Sequence, residues 1–520
     1  MRPYSVCAAL LILMLIPTQA RADLSDTLSF GGYLSSDIRY AFDDWRGQRG
    51  EGPSWYMNRN DANFRLKLSP DPRVTGVVET RLRFYGFNKA NDIPALSNRA
   101  SIDPGDVRLE EAYFALRPVT WMDIKIGRMI QTWGSADLFN PTDNINARDF
   151  SDPLDYASKV PNQMIELDFY PTPWLTLTAV WVPVFKPSML PPSASLGFAV
   201  EDDENGCFVS APTPPLDRAQ MKELSDLFAT VPGNIVNGHN CSLVFPKTEV
   251  RTVEPDLDIK NSQVAARARF QVGDLDLNLS YYYGRFTFPI AYTAVADVVP
   301  PGASGKASGF ATDTPEIDPS KYNVKYVAEV MYPRMQVAGI DFAYSAPWLF
   351  DVGLVGELAV IFPEQVDFAV KALTPFLEKK EWSWRAVNVP STPFIKATAG
   401  FDYSFGSWLY INAMYVRGFF DEFNDRFGLH NYAVLALESK LFEDELQLRL
   451  AGAIDCNDRS MVTYPQITWV ARPGLEFILG VMLFIGDTKP SDPLDYGSRS
   501  KFGQKAAGRD FAFFKTKFTW

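Results

Sequence analysis

Along most of this chain, apolar and polar side chains change places at every second residue. That zigzag fits an extended strand with two different faces. Leu28, Phe30, Leu34, Ile38, Tyr40 and Phe42 share one face, with Ser29, Ser35, Asp37 and Arg39 on the other. Phe64, Leu66 and Leu68 oppose Asn63, Arg65 and Lys67, and Val78, Leu82 and Phe84 oppose Glu79, Arg81 and Arg83. Val264, Ala266, Ala268 and Phe270 oppose Gln263, Arg267 and Arg269. Leu446, Leu448 and Leu450 oppose Gln447 and Arg449.

Tight-turn sequences and long connections alternate between these segments. Ser69-Pro70-Asp71-Pro72, Tyr170-Pro171-Thr172-Pro173, Val272-Gly273-Asp274 and Arg472-Pro473-Gly474 carry the residues that short turns need. Irregular stretches lie between the resulting hairpins, at 43–59, 87–105, 131–162, 186–257, 289–334, 363–392, 419–430 and 487–507. Short turns on one side and long loops on the other are the pattern of a transmembrane antiparallel up-and-down β-barrel. The expected strands are 26–42, 60–69, 74–86, 106–117, 121–130, 163–170, 174–185, 258–271, 275–288, 335–345, 348–362, 393–404, 407–418, 431–442, 445–455, 460–472, 475–486 and 508–520. That makes about 18 strands, within a range of roughly 16–20, because short strands are the weak part of such a reading. An even number puts both ends of the chain on the periplasmic side.

Both ends of the sequence agree with export to a Gram-negative outer membrane. Arg2, the apolar run Val6–Ile16, Pro17 and Ala20-Arg21-Ala22 read as a signal peptide over 1–22. The run is shorter than the roughly 20 residues a helical span needs. The barrel domain is then 23–520. The chain ends on a strand with Ala512, Phe514, Thr516, Phe518 and Trp520 on one face. An aromatic at the last position, here Phe518 and Trp520, resembles the signal by which outer-membrane barrels meet their assembly machinery and periplasmic chaperones. Aromatics make up 14% of the residues, which a barrel spreads over a lipid-facing band and two interfacial girdles.

Charge and residue type exclude several functions. A net charge of -12 argues against nucleic acid, which wants a basic patch. Only two histidines, His239 and His430, are present, and neither stands in a nucleophile pattern, so an enzyme is not expected. Cys207 and Cys241 share one expected loop, and an oxidising periplasm permits a disulfide between them. That same loop, 186–257, carries an expected helix over Asp217–Thr230.

Alternation assigns Arg65, Lys67, Glu79, Arg81, Arg83, Arg267, Arg269, Lys396, Glu438, Lys440 and Arg449 to the lumen. Such charges serve equally as a pore wall that selects ions or as a salt-bridged filling. Long loops can fold into a lumen of this size and narrow it, or stand outside as solvated decoration. The densest polar segment runs from Gly127 to Phe150. In it Arg128 and Arg148 are available to Asp137, Asp143 and Asp149, beside Trp133. It reads as a self-satisfied latch or as a ligand-binding loop. Calcium would find the oxygens it takes, but the spacing matches no known calcium loop, and no metal or other cofactor is expected.

Gly127-Arg128 followed by Trp133-Gly134, Asn140-Pro141 and Asp143 resembles a family of porin-like proteobacterial barrels of largely unknown function. Tyr332-Pro333-Arg334, Ala338–Phe342 and Gly356-Glu357-Leu358 resemble the same family. This sequence departs from it at Met129-Ile130-Gln131, where relatives place Gln directly after Arg, and in the acidic loop holding Asp202 and Glu204. The resemblance implies an outer-membrane channel, linked in some members to hydrophobic or lipid-like cargo. The function expected here is a channel for small molecules. The alternatives are a conduit for lipid, hydrophobic compounds or polysaccharide working with periplasmic partners, and an adhesin. Expected partners are outer-membrane lipid, lipopolysaccharide and further copies of the chain.

Overall fold

The zigzag segments form eighteen strands, and these close into one ring. A computed structural model describes residues 27–42, 53–87, 89–90, 92–155, 158–190, 200–202, 208–210, 235–236, 239–240, 248–299, 323–373, 381–424, 428–487, 500–503, 506 and 509–520. The expected signal peptide, Cys207, Cys241, the expected helix Asp217–Thr230 and most of loop 186–257 lie outside the described residues.

The barrel strands are β1 (Leu28–Ala41), β2 (Ser54–Asp71), β3 (Val74–Tyr85), β4 (Gly105–Val119), β5 (Met122–Met129) and β6 (Asn162–Thr172). They continue as β7 (Leu175–Val182), β8 (Gln263–Val272), β9 (Leu275–Arg285), β10 (Arg334–Ala346), β11 (Val352–Pro363) and β12 (Phe394–Phe405). The last six are β13 (Leu409–Arg417), β14 (Asn431–Leu441), β15 (Leu446–Asp455), β16 (Met461–Arg472), β17 (Leu475–Ile485) and β18 (Phe511–Thr519). Each strand pairs antiparallel with the next, and β18 pairs with β1 from Tyr33↔Thr519 to Ala41↔Phe511. Closure has a physical reason: lipid offers nothing to an unpaired backbone edge.

The two faces of the ring differ as the alternation requires. Phe30, Leu34, Val107, Phe114, Val264, Ile340, Phe401, Leu435, Ile467 and Phe514 point outward and are exposed. A soluble protein rarely shows so continuous an apolar belt. Trp121, Trp174, Trp348, Trp408 and Trp520 ring the short-turn end, also exposed, as an interfacial girdle does. Inside, the register sets opposite charges directly across from one another. Asp37 faces Arg59, Asp61 faces Arg83, Arg65 faces Glu79, Lys125 faces Glu166 and Glu438 faces Arg449. Such cross-strand pairs favour this register over a one-residue slip, which would turn every charge into lipid.

Three boundaries depart from expectation. β2 begins at Ser54, six residues before 60. A single 3₁₀ turn, Ile259–Asn261, precedes β8, and another, Pro347–Leu349, precedes β11. The larger difference lies in loops 289–334 and 363–392, expected to be irregular apart from 322–332, which the sequence leaves open as a strand or as loop structure. They contribute strands Ile290–Val299, Asn323–Met331, Val366–Leu373 and Glu381–Val389, which join Thr248–Val253 in a five-stranded sheet beyond the long-loop end of the barrel. Two of its pairings are parallel, 248–253 with 323–331 and 290–299 with 366–373. Phe368, Val330 and Ala328 are buried in it.

Candidate functional site

The connection between β5 and β6, residues 130–161, folds into the lumen and reaches the opposite wall. Its root is fastened by Asn146. The Asn146 side-chain oxygen accepts from the Gln131 amide at 2.8 Å, and its Nδ2 donates to the Val160 carbonyl at 3.0 Å. Asn suits this position because one carboxamide serves both a donor and an acceptor of the backbone. Trp133, 1% exposed, then packs under the Arg267 guanidinium of β8, 5.0 Å from the ring centre.

Two glycines in the stretch from Gly127 permit this path. A Cβ on Gly127 would stand 2.3 Å from the Ala112 carbonyl oxygen of β4. Gly134 has φ +94°, and a Cβ there would lie 2.5 Å from Glu357 Oε1, so only glycine fits.

Glu357 of β11 is the far anchor. It is buried, and it accepts from the Ala136 amide at 2.7 Å, Asn140 Nδ2 at 3.0 Å and Thr142 Oγ1 at 2.8 Å. Ser135 Oγ meets Asp341 of β10 at 2.5 Å, Thr398 Oγ1 of β12 donates to the Phe139 carbonyl at 2.6 Å, and Asn412 Nδ2 of β13 donates to Asp137 at 2.9 Å. The returning arm docks on the opposite side of the ring. Asp152 accepts from Arg39 of β1 at 2.7 and 2.8 Å and from Arg59 of β2 at 2.7 Å. Arg39 is 1% exposed and also holds Asp37. Burial pushes the Asp152 carboxyl up, but Arg39 and Arg59 outweigh it and hold the group well below the usual carboxylate range.

Between this arm and the wall lies a polar cavity of about 220 Å³. Asp149, Asp152 and Asp155 line the loop side, facing a wall of Arg59, Arg81, Arg83, Lys515 and Lys517 of β2, β3 and β18, with Asp61 of β2 the one carboxylate among the described wall residues. Acidic loop and basic wall thus confront each other across water-sized space.

The long-loop mouth of the lumen is aromatic instead. Phe286, Phe288, Phe419, Phe420, Phe423, Phe139 and Phe150 pack together there. Lys501 and Glu422 close one side at 3.0 Å. Glu422 also accepts from the Phe419 and His430 amides and from the Tyr432 hydroxyl. Burial would raise the Glu422 carboxyl. Lys501 and these donors outweigh burial and bring it from its ordinary 4.5 to about 2. A depressed carboxylate stabilises the folded state above its unfolded value and loses that contribution as pH falls through the folded one. Wild-type protein should therefore resist heat-induced unfolding better than Glu422→Gln at pH 7. On gels that separate folded from unfolded barrel, the gap should close as pH falls from 4.5 to 2.

His430, Asp455 and Asp458 bring ligand-type atoms within 4.8 Å of one another at the β14 and β15 ends. Protein donors already hold them: His430 Nδ1 meets Asp455 at 2.6 Å, while Asp458 takes the Ser460 and Lys501 amides. They form a knot between the outer connections.

The other residues singled out by sequence fall as follows. Arg65 pairs with Glu79 at 2.8 Å, Arg81 with Glu110 at 3.2 Å, Arg83 with Asp61 at 2.8 Å and Arg269 with Asp276 at 3.0 Å. Arg449 lies 5.6 Å from the Tyr464 ring centre, and Lys67 and Lys440 are exposed. Asp143 holds Lys159, with Arg148 at 3.4 Å. Asp149 caps the Ser151 amide at 2.9 Å. Arg128 corrects one expectation. It was expected to serve Asp137, Asp143 or Asp149, but it shares the outward parity of Ile126, and its Nε donates to the Leu109 carbonyl at 2.6 Å. The lumen face of β5 belongs instead to Lys125, Gly127 and Met129. Sequence reading passed over Arg39, Arg59, Asp152, Lys159, Glu422 and Lys501 as functional residues. Asp341 and Glu357 had a visible signal, each being an acid inside a small and apolar run, 338–343 and 355–360.

A closed eighteen-strand antiparallel barrel with a loop folded across its lumen is a porin-like barrel. Residues 85–376 match the model of the family described as "Protein of unknown function (DUF1302)", and the chain belongs to that family. No curated protein matches it. Among solved structures it is similar to OccK7 (OpdD) of Pseudomonas aeruginosa, at 11% identity, covering 95% of this chain and 98% of that one, with a TM-score of 0.40. It is also similar to OmpF of Salmonella typhi in complex with daunomycin, at 10% identity, 95% and 97% coverage and a TM-score of 0.35. OmpT, an outer membrane protein of Vibrio cholerae, gives 8% identity, 95% and 97% coverage and a TM-score of 0.35.

Proposed function

We propose that this barrel is an outer-membrane channel for small molecules, narrowed by residues 130–161. The carrying observation is the polar cavity between the loop's Asp149, Asp152 and Asp155 and the basic wall. A barrel of this strand number leaves an aqueous lumen unless something fills it, and here the filling is one loop held at both walls. Its outward apolar belt would meet outer-membrane lipid, and the long-loop end would meet lipopolysaccharide. Opposed charges at a constriction orient a polar solute and sort ions. Lys515 and Lys517 carry that role, because among the described residues neither has a carboxylate within salt-bridge distance. Purified barrel in planar bilayers should give stepwise conductance. Lys515→Glu with Lys517→Glu should move the reversal potential in a salt gradient toward cations. Folded protein that never conducts would overturn this reading.

A further inference from the structure

A lumen wall of paired charges needs no uncompensated cation, yet one is buried at the aromatic mouth. Lys396 of β12 is 7% exposed. Its Nζ donates to the Phe419 carbonyl at 2.7 Å and lies 5.7 Å from the Phe286 ring centre. Among the described residues no carboxylate comes within 4 Å of it. Asp421 and Glu422 at the same mouth are both taken by Lys501 at 3.0 Å. Arg148 faces the same space with its guanidinium 4.5 Å from the Phe420 ring centre, and Asp143, its one acid among the described residues, is shared with Lys159. The chamber therefore holds more cations than anions. It is also built around the lysine: Gly418, with φ +82°, has no side chain because a Cβ there would stand 2.8 Å from the Lys396 stem. A buried ammonium with no anion costs far more than one that has found its partner.

We propose that this chamber binds an amphiphilic carboxylate, with its head on Lys396 Nζ and Arg148 and its apolar body against Phe286, Phe419, Phe420 and Phe423. The existing cavity, about 50 Å³, suits a head group and little more. The body lies along the ring faces toward the outer mouth. Aromatic faces hold an apolar chain or ring without demanding one shape, while the two cations demand a negative head. The proposal deepens the channel reading by naming the class of solute that the mouth selects, and it rests on that reading.

The test uses the folded, full-length barrel in a planar bilayer, with 4-phenylbutyrate added on the long-loop side. Neutral 4-phenylbutanamide and acetate serve as comparisons. Phenylbutyrate should block the current at concentrations at least about tenfold lower than either comparison, since a charge-assisted contact is worth that much. Lys396→Met should abolish the preference for acid over amide, and Lys396→Arg should keep it. The comparison of acid with amide on wild-type protein stands even if a variant does not fold. Equal block by acid and amide, or full preference in Lys396→Met, would overturn the proposal. Either result in a barrel that conducts leaves the channel reading intact, whereas absence of conductance defeats that reading itself.

Discussion

Replacing Glu357 by alanine together with Asn412 by alanine should raise single-channel conductance several-fold and add open-channel noise. Glu357 receives three donors from the loop, and Asn412 holds Asp137 a little further along. Each buried donor left unpaired costs about 1–3 kcal/mol, more than a single loop contact returns. The far end of residues 130–161 would then be left with Ser135 on Asp341 and the Phe139 carbonyl on Thr398, would leave the wall for part of the time, and in those intervals the lumen would approach the open width that a barrel of this size allows. The root at Asn146 is untouched, so the loop stays tethered and samples several positions, which is the source of the noise. Bilayer recordings of the double variant and of Asn412→Ala alone check this. Unchanged conductance in a folded double variant would mean that the loop does not gate the passage.

The second large effect is on stability. Asp152→Ala leaves Arg39 buried with Asp37 alone and removes the shortest of the carboxylate contacts of Arg59, which keeps Asp37 at 3.5 Å and Asp61 at 3.6 Å. Breaking a buried ion pair by deleting one member typically costs about 3–5 kcal/mol. The polar cavity beside Asp152 admits water, so the lower part of that range is expected. Guanidinium unfolding followed by tryptophan fluorescence should show the loss, with Asp149→Ala, exposed to the same cavity, changing far less. The sign with pH follows from the depressed Asp152 carboxyl. The stabilisation is complete above the ordinary carboxylate value and is lost only as pH falls through the lowered one. The advantage of wild type over Asp152→Ala should therefore survive into mildly acidic solution.

The barrel was legible because lipid on one side and water or charge on the other leave a period-two trace in nearly every strand. All eighteen expected segments overlap a strand of the ring. The outer sheet was not legible as such. Its strands pair across loops far apart in sequence, and nothing local announces a parallel partner. Arg128 misled because β5 is only eight residues long. In so short a strand, parity cannot be fixed without knowing which residue enters the lumen. The loop's polar richness was visible, but its partners were not, since Asp137 and Asn412 lie far apart in sequence. The aromatic mouth left no periodic signal at all, because Phe419, Phe420 and Phe423 sit in a connection rather than a strand.

The parallel pairings of the outer sheet also bear on how the molecule comes apart. Parallel neighbours cannot be joined by a tight turn, so residues 248–253, 290–299, 323–331, 366–373 and 381–389 interlock only after three separate hairpins stand side by side. That weave acts as a clasp over the sector from β7 to β12. A pull on any strand there must first undo its neighbours' outer loops. β15 and β16, joined at that end by residues 456–460, lie outside that sheet and are tied to the connections on either side by shorter contacts, His430 with Asp455 and Asp458 with the Lys501 amide, so one sector of the ring is bound by backbone pairing and the other by side-chain links.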